Sequence, residues 1–385
     1  MKKLQQILFY CLILFLPTQL GLHFWPSWAF ISGLRIDYFS PTIYFTDVLV
    51  VLLFFLNFPP LPKLRKWHLL LFILIFLNIK FSILWQVSLY KWIKVGEFAF
   101  LAYWVSKNIS KHLFFVSSIL LSFGVLIESF LVFSQFFQHS SVGGVFYFLG
   151  ERFYNSSTPG IAKAVIFGQE FLRPYGTFSH PNVMAGFLVT IFPLILNQIK
   201  KCHDKNHYFF LKIILITSSI LVPIIAIMTI SRLGILVMTV TLLFFSLPNL
   251  FPRNPLANPK KFFFVFLVLF LIVIPFRWQL NQLAIENFFK NPFLGVGLGV
   301  FPLTIAKGIF FQPAHNIYLL LLSETGLIGL SMFLILIFKT LKNSLKIPLI
   351  IILFLGMFDH YSLTLQQTQL LFSIILGLSW SKMKA

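Results

Sequence analysis

Apolar residues in this chain come in long runs, not in the alternation of strands or the one-sided stripe of surface helices. Spanning the hydrocarbon of a bilayer takes roughly 20 apolar residues in a helix. Read against that length, the runs predict about twelve spans: 4–24, 39–57, 67–84, 89–106, 112–137, 181–199, 209–229, 233–247, 261–278, 315–338, 346–358 and 363–380. The first run follows Lys2-Lys3 and shows no small-residue cleavage site, so it reads as a signal anchor that stays in place. No repeat of fixed period appears. The pattern therefore predicts an all-α integral membrane protein, a single polytopic domain over 1–385.

Composition agrees. The 385 residues are 58% hydrophobic and 10% charged, with mean hydropathy +0.90. Soluble domains carry about 25% charged residues, so a water-soluble enzyme, a disordered tail and a disulfide scaffold are all excluded. The net charge of +20 would point to nucleic acid in a soluble protein. Here the basic residues sit mostly in short gaps between apolar runs, so no nucleic-acid partner is expected. With the N-terminus inside, the inner gaps collect most of the Lys and Arg, among them Lys63, Arg65, Lys66, Lys200, Lys201, Arg253 and Lys260. That bias puts both termini in the cytoplasm of a multi-pass plasma (inner) membrane protein. Two long segments, about 138–180 and 279–314, then face outward, and long connections are usually functional. Chemistry is expected on the extracytoplasmic face.

Four polar features stand out. The first outer segment ends in Arg173-Pro-Tyr175-Gly-Thr-Phe-Ser-His180-Pro-Asn182 and runs directly into the sixth span. An ordinary loop with an interfacial arginine is the alternative there. The second is Thr229-Ile-Ser231-Arg232-Leu-Gly234, an arginine at membrane depth that needs water, a carboxylate or an anionic ligand to offset its cost. Arginine's planar fork pairs with phosphate in a way lysine cannot reproduce; a turn arginine snorkelling to headgroups is the plainer account. The third runs from Asn291-Pro-Phe-Leu-Gly-Val-Gly-Leu-Gly299 to His315-Asn316-Ile-Tyr318 and Glu324-Thr-Gly-Leu-Ile-Gly329. Its glycines lack a β-strand–helix unit, which excludes a dinucleotide fingerprint. A lone histidine at a helix start is more often a cap than a catalyst. The fourth is Asp359-His360-Tyr361, read as a solvated outer turn unless its carboxylate orients a histidine or pairs with an arginine. Asp47, Glu97 and Glu128 lie inside apolar runs, where structural pairing with Lys91, Lys94 or Arg35 is preferred over a proton relay. Cys202-His203-Asp204 and His207 look like metal ligands but have poor spacing in a basic gap. Cys11 and Cys202 provide no disulfide framework or CxxC site.

Together the first three blocks resemble the O-antigen ligase and O-antigen polymerase family of polytopic membrane glycosyltransferases. The likeness covers roughly 130–340, within a family-like core of about 110–345; the first 110 residues match mainly in hydropathy. The resemblance implies a GT-C-like helical bundle and a metal-independent, inverting glycan transfer without a cofactor. Its donor would be a glycan on a polyprenyl diphosphate, typically undecaprenyl diphosphate, and its acceptor a hydroxyl of a glycan, lipid or protein in surface-polysaccharide synthesis. The family's two arginines map to Arg173 and Arg232, which would hold the diphosphate, and its histidine maps to His315, the base. Tyr175, His180, Asn182 and Asn316 are possible substrate contacts. Glu324, too far along the helix to touch His315, and Asp359 would support the site. No ligand set for a metal is expected. Where some relatives carry a large additional domain, this chain ends shortly after its last run. The competing class is a polytopic transporter or flippase of lipid-linked glycan. It calls for two matching halves, whereas the polar residues here sit asymmetrically.

Overall fold

The computed structural model describes residues 1–57, 66–201, 209–246, 278–305, 311–341 and 346–381. It is mostly helical, with α1 at Lys2–Leu14, α2 at Phe45–Leu56, α3 at Lys66–Lys80, α4 at Trp85–Asn108, α5 at Lys111–Gln138, α6 at Pro181–Lys201 and α7 at Phe209–Met228. These are followed by α8 at Arg232–Ser246, α9 at Trp278–Lys290, α10 at Ile317–Leu341, α11 at Lys346–Leu355, α12 at Tyr361–Thr364 and α13 at Gln366–Trp380. Short antiparallel pairs join β1 (Gly21–His23) to β4 (Thr42–Tyr44), β2 (Phe30–Ile31) to β3 (Leu34–Arg35), and β5 (Lys163–Ile166) to β6 (Gln169–Leu172). The all-α expectation omits these pairs.

Among the described residues, four helices are long and apolar enough to cross a membrane: Lys111–Gln138, Pro181–Ile199, Phe209–Met228 and Ile317–Leu341. About twelve spans are not found, and the reasons are local. The run 4–24 stops as a helix at Leu14, before Pro17 and β1, while the start of 39–57 is taken by β4. The helices over 67–84, 233–247 and 363–380 have only 15 residues each, and the one over 346–358 has 10. A helix of 15 residues rises about 22 Å, short of the roughly 30 Å of hydrocarbon. α4 is long enough, but Lys91, Lys94 and Glu97 interrupt its apolar character. The run 261–278 lies almost wholly outside the described residues, as does Cys202-His203-Asp204-His207.

The chain divides into two compact units. One comprises Met1–Leu12, Leu20–Leu113 and Arg277–Ala385. In it α13 lies on α4, and the closeness depends on Gly377, where an added Cβ would meet the Ala102 carbonyl at 2.5 Å and Val105 at 2.7 Å. Phe9 packs on the fully buried Trp104. Lys94 Nζ pairs with Asp47 at 2.5 Å and Glu97 at 2.8 Å, the structural role read for these carboxylates. Gln366 from α13 also donates to Asp47 and to Thr46.

The second unit comprises Ile13–Gln19 and Phe114–Phe276. Here α6 packs against α7 and α8. At Gly234, in α8, an added Cβ would sit 2.5 Å from the Ala185 Cβ of α6, so only glycine permits that approach.

Candidate functional site

In the second unit the segment 138–180 folds back onto the end of α5. β5 and β6 form a hairpin whose two turn residues, Phe167 and Gly168, both have positive φ, as a two-residue hairpin turn requires. The strand β6 delivers Arg173 just past its end. Beyond it the turn 174–180 is held from beneath by two buried polar side chains of α5. Gln135 Oε1 accepts the N–H groups of Tyr175 (2.9 Å) and Gly176 (2.7 Å), and its Nε2 donates to the Gly176 carbonyl and to Glu151. Glu128 accepts from the Thr177 hydroxyl and N–H. Glu128 is thus a loop anchor, where pairing with a cation was expected.

The Tyr175 hydroxyl accepts the Ala162 N–H at 2.8 Å, and burial pushes this phenol's pKa up. Its ring packs on Tyr154 and on His180. His180 Nδ1 accepts the Asn182 N–H at 3.1 Å, which caps the start of α6. Arg173 then reaches across: Nη2 donates to Asn182 Oδ1 at 2.6 Å, and Nε donates to the Thr229 carbonyl at 2.8 Å. That last bond joins the two arginine motifs, because Thr229 opens the turn that carries Arg232. In this turn Ile230 holds φ +51°, rare for a β-branched residue. Ser231 Oγ accepts the Gly234 N–H as the N-cap of α8. Arg232 is exposed as the first residue of that helix.

In the first unit the glycine-rich segment is a structural strap. α10 breaks at Gly326 (φ +66°), and Gly295, Gly297 and Gly299 all have positive φ. The strap lies in that break: Val296 and Gly297 donate to the carbonyls of Ser323 and Glu324, and Leu327 donates to that of Pro292. Asn78 ties both sides by donating to the Leu294 and Glu324 carbonyls. The Glu324 carboxylate accepts the Phe301 N–H at 3.2 Å, so its role is to hold the strap, consistent with its distance from His315 along the helix.

His315 lies just before α10 and is buried with Asp359 and His360. Asn316 caps α10 by accepting the N–H groups of Tyr318 and Leu319, and its amide nitrogen donates to the Met357 carbonyl, so it ties the helix start to the 357–360 turn. His315 Nδ1 lies 3.4 Å from Asp359 Oδ1, and its Nε2 lies 3.3 Å from Gln312 Oε1. The turn read as solvated is in fact buried, with Asp359 8% and His360 5% exposed. Burial and the Asp359 carboxylate raise the Tyr361 pKa well above the usual range. His315, Asp359 and His360 each offer a ligand atom within 4.8 Å of the others, a grouping able to hold a metal ion. Sequence reading overlooked this grouping, along with Gln135, Asn78 and Gln312. Gln312 sits three residues from His315, but the Tyr175 and Gly176 partners of Gln135 and the Leu294 and Glu324 partners of Asn78 are dozens of residues distant, and a lone amide in an apolar run is the sole signal at those two. No protein-family model, curated protein or solved structure matches the chain.

Proposed function

We propose that the chain is a membrane glycosyltransferase of the O-antigen ligase or polymerase kind, with a GT-C-like bundle and an extracytoplasmic site. It moves a glycan from a polyprenyl diphosphate to an acceptor hydroxyl. Arg173 and Arg232 hold the diphosphate, and His315 takes the acceptor proton. The acceptor oxygen attacks the anomeric carbon with inversion as the bond to the diphosphate breaks. The observation that supports this reading is the bond from Arg173 Nε to the Thr229 carbonyl, which ties one arginine to the turn bearing the other. Negative charge grows on the departing diphosphate, and guanidinium groups at a helix start suit it. In the base form of His315, Asp359 holds Nδ1–H and leaves Nε2 to accept a proton. The exposed Gln312 side chain lies on that side of the ring.

The test is transfer in vesicles containing the purified protein, an undecaprenyl-diphosphate-linked oligosaccharide and EDTA. Wild type should lengthen the glycan or pass it to an added acceptor. Arg232→Ala should lose on the order of 10²–10³ in rate, and His315→Ala about 10²–10⁴. Movement of the lipid-linked glycan across the bilayer with no transfer to any acceptor would replace this reading with a transporter or flippase.

A further inference from the structure

The two buried histidines and the Asp359 carboxylate share one buried space. Thr364 Oγ1 lies 2.7 Å from His360 Nδ1 and 3.1 Å from the His360 carbonyl. When Nδ1–H is donated to that hydroxyl, neutral His360 presents the Nε2 lone pair on its other side. That Nε2 lies 3.9 Å from Asp359 Oδ1. On His315, Gln312 Oε1 faces Nε2, and Nδ1 lies 3.4 Å from the same carboxylate oxygen. Two imidazole nitrogens and a carboxylate oxygen, which also accepts the His360 backbone N–H at 2.8 Å, thus converge in a buried space. In a buried pocket such a convergence favours a cation at its centre.

We propose that His315 Nδ1, Asp359 Oδ1 and His360 Nε2 bind a divalent first-row transition ion of the Zn²⁺ type, with a fourth position open. Ligand atoms of a tetrahedral site with bonds of about 2.0–2.1 Å lie roughly 3.3 Å apart. The 3.4 Å and 3.9 Å separations are close to that, and the three residues each offer a ligand atom within 4.8 Å of the others. Metal-bound histidines donate their remaining N–H to an oxygen that fixes the ring. Gln312 and Thr364 stand in those two places. Two imidazoles and one carboxylate select Zn²⁺, Co²⁺ or Ni²⁺ over Mg²⁺ or Ca²⁺, which need many more oxygens.

Metal capture also makes a switch. A bound ion takes Nδ1 of His315, removes the Asp359–imidazole contact that the base form uses, and silences transfer. This last consequence rests on the glycosyltransferase reading; the binding does not.

The experiment uses the full-length protein, purified in detergent and stripped of metal. Co²⁺ should give the visible absorption of a tetrahedral ion at one equivalent, displaced by Zn²⁺. Thr364→Val, which removes the oxygen behind His360, should weaken Zn²⁺ binding on the order of 10–100-fold. His360→Ala should weaken it further while unfolding near the wild-type temperature without metal. A Cys202→Ser/His203→Ala/His207→Ala variant, lacking the ligands of 202–207, should keep the spectrum. The proposal is overturned if wild type gives no tetrahedral Co²⁺ spectrum, if His360→Ala binds as tightly as wild type, or if the spectrum disappears with the 202–207 ligands. Zn²⁺ should also stop glycan transfer, and EDTA should restore it. Tight Zn²⁺ binding without any glycan transfer would refute the transfer reading alone; transfer in EDTA with no Zn²⁺ binding would refute the metal site alone.

Discussion

Arg173 shows what a single side chain contributes here. Its guanidinium makes two divergent bonds, Nη2 to Asn182 at the start of α6 and Nε to Thr229 before α8. A lysine ammonium is a point charge on a flexible stem and cannot keep both directions fixed. Arg173→Lys should therefore fold, with an unfolding temperature near wild type, yet transfer glycan about 10²-fold more slowly. Steady-state transfer in vesicles checks this, and a lysine variant at full rate would mean that charge alone matters. The residue type was legible in the sequence, since an arginine needs anionic or polar company near a membrane. The bond to Thr229 was not, because it spans 56 positions. Asp359 was misread for the same reason: nothing local to 359–361 announces His315 or the burial.

At the scale of elements, long apolar helices were legible from run length, so α5, α6, α7 and α10 stand close to their expected bounds although Pro193 lies inside α6 and Pro223 inside α7. Short helices were overcounted as spans, because an apolar run does not announce where hairpins such as β1–β4 cut it. The loop 138–180 was recognised as important from its polar end, but its foundation in α5 was invisible. Gln135 meets Tyr175, Gly176 and Glu151 through both ends of its amide. Gln135→Leu keeps the volume and strands two backbone N–H groups, at about 1–3 kcal/mol for each buried group left unpaired. The variant should unfold at a clearly lower temperature, and protease should cut within 138–180 faster than in wild type. Equal cutting rates would show that the loop is held by other contacts.

At the scale of the whole molecule, the charge bias predicts that both polar loops emerge on the same side of the membrane. This matters for mechanism, since the diphosphate and the base must act from one compartment. Ser156 in the first loop and Glu286 on α9 are both exposed, which makes them suitable single-cysteine sites. In a background with Cys11 and Cys202 replaced by serine, a membrane-impermeant maleimide added to intact cells should label Ser156→Cys and Glu286→Cys alike. Lys3→Cys should react only after the membrane is opened, because the N-terminal lysine pair is expected in the cytoplasm. Labelling of Ser156→Cys and Glu286→Cys from opposite sides would separate the arginines from His315 across the bilayer. A one-sided transferase would then be impossible, and a chain with polar groups facing both compartments would suit a carrier of lipid-linked glycan far better.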